Sequence, residues 1–167
     1  MEIRPDGTVL VRAPRRLPQR EIDRFLAEKQ GWIEEKLAVQ RSAGDVVPLT
    51  EGQLRSLAKR MKEILPDLTA DWAARVGVTY GRITVRNQAT RWGSCSARGN
   101  LNFNCLLMLA PPEVLDYVIV HELCHRKHMD HSPAFWAEVA RVLPDWKARR
   151  KWLKDNGPRL MAAGARH

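Results

Sequence analysis

The sequence predicts an α+β fold in which a small antiparallel or mixed sheet packs on one apolar helix, with a hairpin-helix unit in front. Three observations carry this. Helical periodicity dominates both halves of the chain, three short strand-like runs cluster between residues 82 and 104, and the most apolar helical stretch follows them directly. At 167 residues with 44% hydrophobic composition, the chain can bury a core of its own.

Taken in order, residues 3–12 read as a hairpin, because Pro5-Asp6-Gly7 is a turn signal and Thr8-Val9-Leu10-Val11-Arg12 has strand composition. Ile22, Phe25, Leu26, Trp32, Ile33 and Leu37 then recur at helical spacing, which predicts an amphipathic helix over 19–40. Residues 1–40 form the expected accessory unit, and residues 41–49 have linker composition. Thr50 and Gln53 make a capping box for a helix over 50–76, with Leu54, Leu57, Met61, Leu65, Leu68 and Trp72 on one face and a bend at Pro66. Strands are expected at 82–86, 91–95 and 101–104, with Leu101 and Phe103 facing the core and Asn102 and Asn104 facing away. Pro111-Pro112-Glu113 opens the apolar helix, and Ser132-Pro133 opens the next, whose buried side is Phe135, Trp136, Val139 and Val142. A short basic helix over 145–155 is closed by Asn156-Gly157-Pro158, so the main domain spans 50–157 and residues 158–167 form a disordered tail.

The apolar helix carries His121-Glu122-Leu123-Cys124-His125. Histidines four apart share one helical face and can reach one ion, while the glutamate beside the first can act on a water held there. A catalytic zinc needs a third protein ligand. His128 shares the face, but at about 1.5 Å rise per residue it lies about 7.5 Å along the axis from an ion between His121 and His125. His131 is better placed, because Ser132-Pro133 forces a turn that can swing it back. Glu138, on the following helix, is the alternative third ligand. The spacing to His131 equals that of H-E-x-x-H-x-x-G-x-x-H, although His128 stands where that pattern has glycine. Four of the chain's five histidines fall within residues 121–131.

Composition adds weaker signals. With 28 Lys and Arg against 19 Asp and Glu, the net charge of +9 gives some attraction to nucleic acid, nucleotides or other polyanions, yet no nucleic-acid-binding motif accompanies it. Cys95, Cys105 and Cys124 are too few and too irregularly spaced for a disulfide framework, and Cys124 reads as a small buried side chain. Neither a signal peptide nor a membrane-spanning run is present in the sequence, so a cytoplasmic monomer without a membrane partner is the expectation.

Arg91-Trp92-Gly93-Ser94-Cys95-Ser96, Leu101-Asn102, the run Asp116 to His125, and His131-Ser132 followed by Phe135-Trp136 together resemble the YgjP-like metallopeptidases, relatives of the SprT-like proteases. The resemblance covers residues 50–155 well and extends to the N-terminal hairpin and helix, but residues 41–50 leave only a short linker where family members carry further strands. It implies a zincin-like fold, one Zn(2+) ion on His121, His125 and His131, Glu122 as catalytic carboxylate, and a peptide or protein substrate. The expected mechanism lowers the pKa of a zinc-held water to about 7 and uses Glu122 as general base. Arg91, Asn102 and Asn104 are candidate substrate or oxyanion contacts, and the strand 91–95 or 101–104 is a candidate edge for an extended peptide. Two other readings compete: a metal-dependent phosphoanhydride hydrolase acting on nucleotides, and a nucleic-acid-associated module with a structural zinc.

Overall fold

The computed structural model describes residues 1–3, 8–14, 16–44 and 46–165, leaving aside the side chains of residues 39–44. It falls into two compact units, Met1–Val46 and Val47–His167.

In the first unit, β1 (Glu2–Ile3) and β2 (Val9–Leu10) pair antiparallel, with Glu2 opposite Leu10. The turn expected at Pro5-Asp6-Gly7 lies outside the described residues. The single helix expected over 19–40 is two, α1 (Gln19–Glu28) and α2 (Gln30–Gly44), divided at Lys29. The Lys29 amide donates to both the Phe25 and Leu26 carbonyls, a tightened last turn, and the poor helix former Gly31 follows at once. α2 continues to Gly44, through residues whose composition had suggested a linker.

The second unit is built around α3 (Glu51–Val76) and α4 (Pro112–Cys124). Thr50 caps α3 with its side chain on the Gln53 amide, and Gln53 reaches back to the Thr50 amide at 2.8 Å. The helix passes through Pro66 without ending. Its deepest line is Leu57, Met61, Leu65, Thr69, Ala73 and Val76. Leu54, Leu68 and Trp72, expected on the same face, pack around that line only partly buried. Trp72 stays near the surface because its indole N–H donates to the Asp116 carboxylate at 2.9 Å.

Three strands form one mixed sheet in the order β3 (Ile83–Arg86), β5 (Leu101–Asn104), β4 (Gly93–Cys95). β5 runs parallel to β3 and antiparallel to β4, with Gly93 opposite Phe103 and Ser94 opposite Asn102. Leu101 and Phe103 are buried, as their alternation predicts. α4 is buried nearly all round, the expected state of a helix with little polar surface. A 3-10 turn at Cys105–Leu109 leads into it.

After α5 (Pro133–Val142), α6 runs Trp146–Ala163, past the expected stop at Gly157-Pro158. The disordered tail is therefore a correction for residues 158–163. Tertiary contacts override the local signal: Gly157 lies flush against the Trp92 ring, the Leu49 amide donates to the Ala163 carbonyl at 2.7 Å, and Asn87 donates to the Gly164 carbonyl at 2.8 Å.

Candidate metal centre

α4 supplies His121, Glu122 and His125, the last as its C-cap, and it ends at Cys124, about two turns earlier than Ser132-Pro133 alone would require. The amides of Lys127 and His128 both fold back onto the Cys124 carbonyl at 3.0 Å. The chain then reverses and enters α5 at Ser132, whose amide donates to the Asp130 carboxylate at 3.4 Å. No non-glycine residue among those described takes a positive φ, so this turn is made without the left-handed conformation that a glycine supplies. The reversal carries His131 back to α4, where its Nε2 lies 3.0 Å from His121 Nε2.

One ligand atom from each of His121, His125 and His131 lies within 4.8 Å of the others. Two imidazole nitrogens on one tetrahedral ion, each at about 2.0–2.1 Å, are roughly 3.3 Å apart, close to the 3.0 Å between His121 and His131. Their protonation suits a shared cation too. Burial, then the neighbouring His125 and His131, hold His121 down to about 3, and burial lowers His125, leaving both neutral with a lone pair for an ion. His125 Nδ1 meets the His128 carbonyl at 3.0 Å. A carbonyl only accepts, so Nδ1 carries the proton and Nε2 is the free donor atom. The fully buried Phe135 supports the cluster, stacked on His125 at 4.6 Å and edge-on to His121 and His131 at 4.9 Å. The donor set therefore fits a divalent metal of imidazole preference.

Glu122 is 6% exposed, and burial pushes its carboxyl up to about 8. It has room only because residue 93 is glycine, since a Cβ there would stand 2.7 Å from its Oε1. β4 thereby lies directly on the carboxylate. Between β4, α4 and α6 opens a cleft of about 350 Å³, walled by Arg91, Trp92, Arg150 and Lys154, with Tyr117, His121 and Glu122 along α4.

A family model described as YgjP-like, metallopeptidase domain, matches residues 1–53 and 48–156. The chain belongs to the YgjP-like family. Among curated proteins none matches. Of solved structures, the metallopeptidase zymogen abylysin of Pyrococcus abyssi aligns with a TM-score of 0.50 at 22% identity, over 55% of this chain and 94% of that one. The metallopeptidase zymogen jannalysin of Methanocaldococcus jannaschii aligns with a TM-score of 0.49 at 18% identity, over the same shares. The YgjP-like chain thus has an α+β, zincin-like fold and carries a metallopeptidase domain, whose family implies a divalent metal.

The geometry sorts the sequence-predicted residues of this YgjP-like domain. His121, Glu122, His125 and His131 come together, and His128 contributes its backbone carbonyl. Glu138 does not join them: it is held by Lys127 Nζ and by the Arg141 guanidinium, each at 2.7 Å. Cys124 is fully buried, and burial raises its thiol to about 12, which leaves it an inert packing group. Arg91 lines the cleft. Asn104 does not, because it is buried, with its amide donating to the Gln88 and Arg91 carbonyls and its oxygen accepting from the Leu106 amide. Asn102 pairs with Ser94 on the sheet face opposite Gly93, and so turns away from Glu122. β5 has partners on both sides, and β4, the strand beside Glu122, is an edge strand of the sheet among the described residues. Sequence reasoning missed Gly93, Tyr117, Arg150 and Lys154. Tyr117 was legible, being one helical turn before His121; the others depend on how distant elements meet. Among the described residues, no helix is long and apolar enough to cross a membrane.

Proposed function

We propose that this YgjP-like chain is a zinc-dependent hydrolase of peptide bonds, with His121, His125 and His131 as metal ligands and Glu122 as general base. The observation that carries the reading is the convergence of three imidazoles, His121 and His125 held neutral by burial, beside the buried side chain of Glu122. A bound zinc ion supplies Lewis acidity, lowering the pKa of water and polarising a carbonyl. The remaining work belongs to the chain. Glu122 takes the proton of the attacking water and returns it to the leaving amine. The His128 carbonyl fixes the His125 ring, and Phe135 and Trp136 hold His131. The outer edge of β4 can hydrogen-bond an extended peptide and lay its carbonyl beside Glu122. Arg91 is the remaining sequence-predicted candidate for an oxyanion contact.

A second reading, hydrolysis of a nucleotide phosphoanhydride, draws support from Arg91, Arg150 and Lys154 around the cleft. A purely structural metal is opposed by the cleft itself, which opens onto His121 and Glu122. The test is a parallel screen of casein, unstructured peptides and nucleoside triphosphates before and after chelation. Chelator-sensitive cleavage of peptides supports the proposal. Turnover of triphosphates with peptides untouched would replace it with the second reading.

A further inference from the structure

α6 carries a run of cations in which two are neutralised and one stands apart. Arg149 pairs with Asp145 at 2.9 Å and faces Asp116 at 3.9 Å, and Lys151 pairs with Asp155 at 2.5 Å. Among the described residues no carboxylate pairs with Arg150 between them. Its guanidinium lies 4.7 Å above the Trp136 ring and 6.0 Å from the Trp146 ring. Those two indoles stack at 4.5 Å with 17° between their planes, and Trp136 lies in turn on His131, at 5.7 Å and 26°. A ladder of aromatic rings thus runs from the metal cluster to one guanidinium held in place at the cleft wall. A stacked guanidinium keeps its in-plane N–H groups free, and its fork geometry matches a carboxylate.

Resting on the peptidase reading above, we infer that Arg150 is a specificity residue that recognises a carboxylate in the substrate, placed within a residue or two of the bond to be cut. The distance follows from the cleft, since Arg150 shares its walls with His121 and Glu122. Trp92, Tyr117, Val118 and Leu153 give the same cleft apolar surface beside the cations Arg91 and Lys154, which suits a side chain or chain end that is apolar along its stem and anionic at its tip. A nucleic-acid backbone fits less well, because it needs a continuous track of cations and Asp145 and Asp155 interrupt this one. The carboxylate has two sources, an acidic side chain or the C-terminus of a peptide.

Matched peptides separate the sources: Glu against Gln beside the cleaved bond, and free against amidated C-terminus. They are tested with the parent, Arg150→Gln and Arg150→Lys. The readouts are the acid-to-amide ratio of kcat/KM and, independently of turnover, tryptophan-fluorescence titration of the metal-free protein. The expected result is a preference of about tenfold for one acid peptide over its amide, falling to about one in Arg150→Gln and partly kept in Arg150→Lys. Carboxylate-dependent binding through Arg150 without cleavage of any peptide upholds carboxylate recognition by Arg150, and it sinks the peptidase reading together with the placement beside a cut bond. Cleavage with an acid-to-amide ratio that is near one in the parent, or unchanged in Arg150→Gln, overturns this inference alone. Binding of neither peptide, or Arg150-dependent binding of a triphosphate or an oligothymidylate with no carboxylate preference, overturns it as well.

Discussion

Glu122 and Glu138 lie on consecutive helices of one domain, and the fold treats them in opposite ways. Glu122 is set into the apolar wall between α4 and β4, and burial drives its carboxyl up to about 8. Glu138 sits where α5 meets the end of α3, gripped by Arg141 and Lys127, and those hydrogen bonds and charges bring it down to about 2. The same two cations also donate to the Val76 carbonyl, so Glu138 completes the C-terminal cap of the longest helix. A carboxylate with its cations in place stabilises assembly, whereas one buried without them costs stability and is poised for proton transfer. The sequence offers Glu122 as the catalytic carboxylate and Glu138 as the alternative third ligand, and the cations that occupy Glu138 come from Lys127 and from Arg141 on α5.

The sharpest way to break this contrast is to neutralise each in turn. Glu122→Gln is expected to lower kcat by about 10²–10⁴-fold in a peptide assay, the usual contribution of a general base, with little change in thermal midpoint. If the loss instead tracked a fall in the midpoint, Glu122 would be structural. Gly93→Ala should come next. Its methyl group meets the Glu122 carboxylate, and displacement by a fraction of an ångström is expected to cost on the order of 10-fold in kcat/KM while metal content holds. Unchanged kinetics would show that β4 does not constrain the carboxylate.

The pH dependence of stability should separate the two glutamates by sign. Glu122, raised in the folded metal-free protein, contributes stability below its ordinary value of 4.5 that is lost as pH rises through about 8. Glu138, depressed, contributes stability above 4.5 that is lost as pH falls through about 2. Denaturation of the metal-free protein across pH should therefore show Glu122→Gln removing a loss on the neutral side and Glu138→Gln removing a loss on the acid side; one common window for both would contradict the contrast. The smallest effect is the stability change of Glu138→Gln at neutral pH, about 1 kcal/mol for a partly exposed ion pair, read from the denaturant midpoint.

Much of the site was legible because it is local. Two histidines four apart and a proline-enforced turn constrain His131 through chain geometry over eleven residues, and the apolar run around them predicts the buried helix. The strands were legible from alternation, and so was the burial of Leu101 and Phe103. What failed was whatever depends on distant partners. Asn102 and Asn104 share one alternation, but only Asn104 meets the carbonyls of Gln88 and Arg91, which pull it out of reach of substrate. The Gly157-Pro158 stop failed because contacts with Trp92, Leu49 and Asn87 hold the helix together beyond it. Gly93 stands in the Arg91–Ser96 run that carries the family resemblance, but nothing local gives it a role, since its importance is the space it leaves for a side chain 29 positions away.

Metal content tests the central claim most directly. Elemental analysis of the purified parent, Glu122→Gln, Glu138→Gln and His131→Ala, each loaded with zinc and desalted, is expected to give one ion per chain in the first three and loss of the ion in His131→Ala. Retention in His131→Ala together with loss in Glu138→Gln would move the third ligand to α5 and contradict the account.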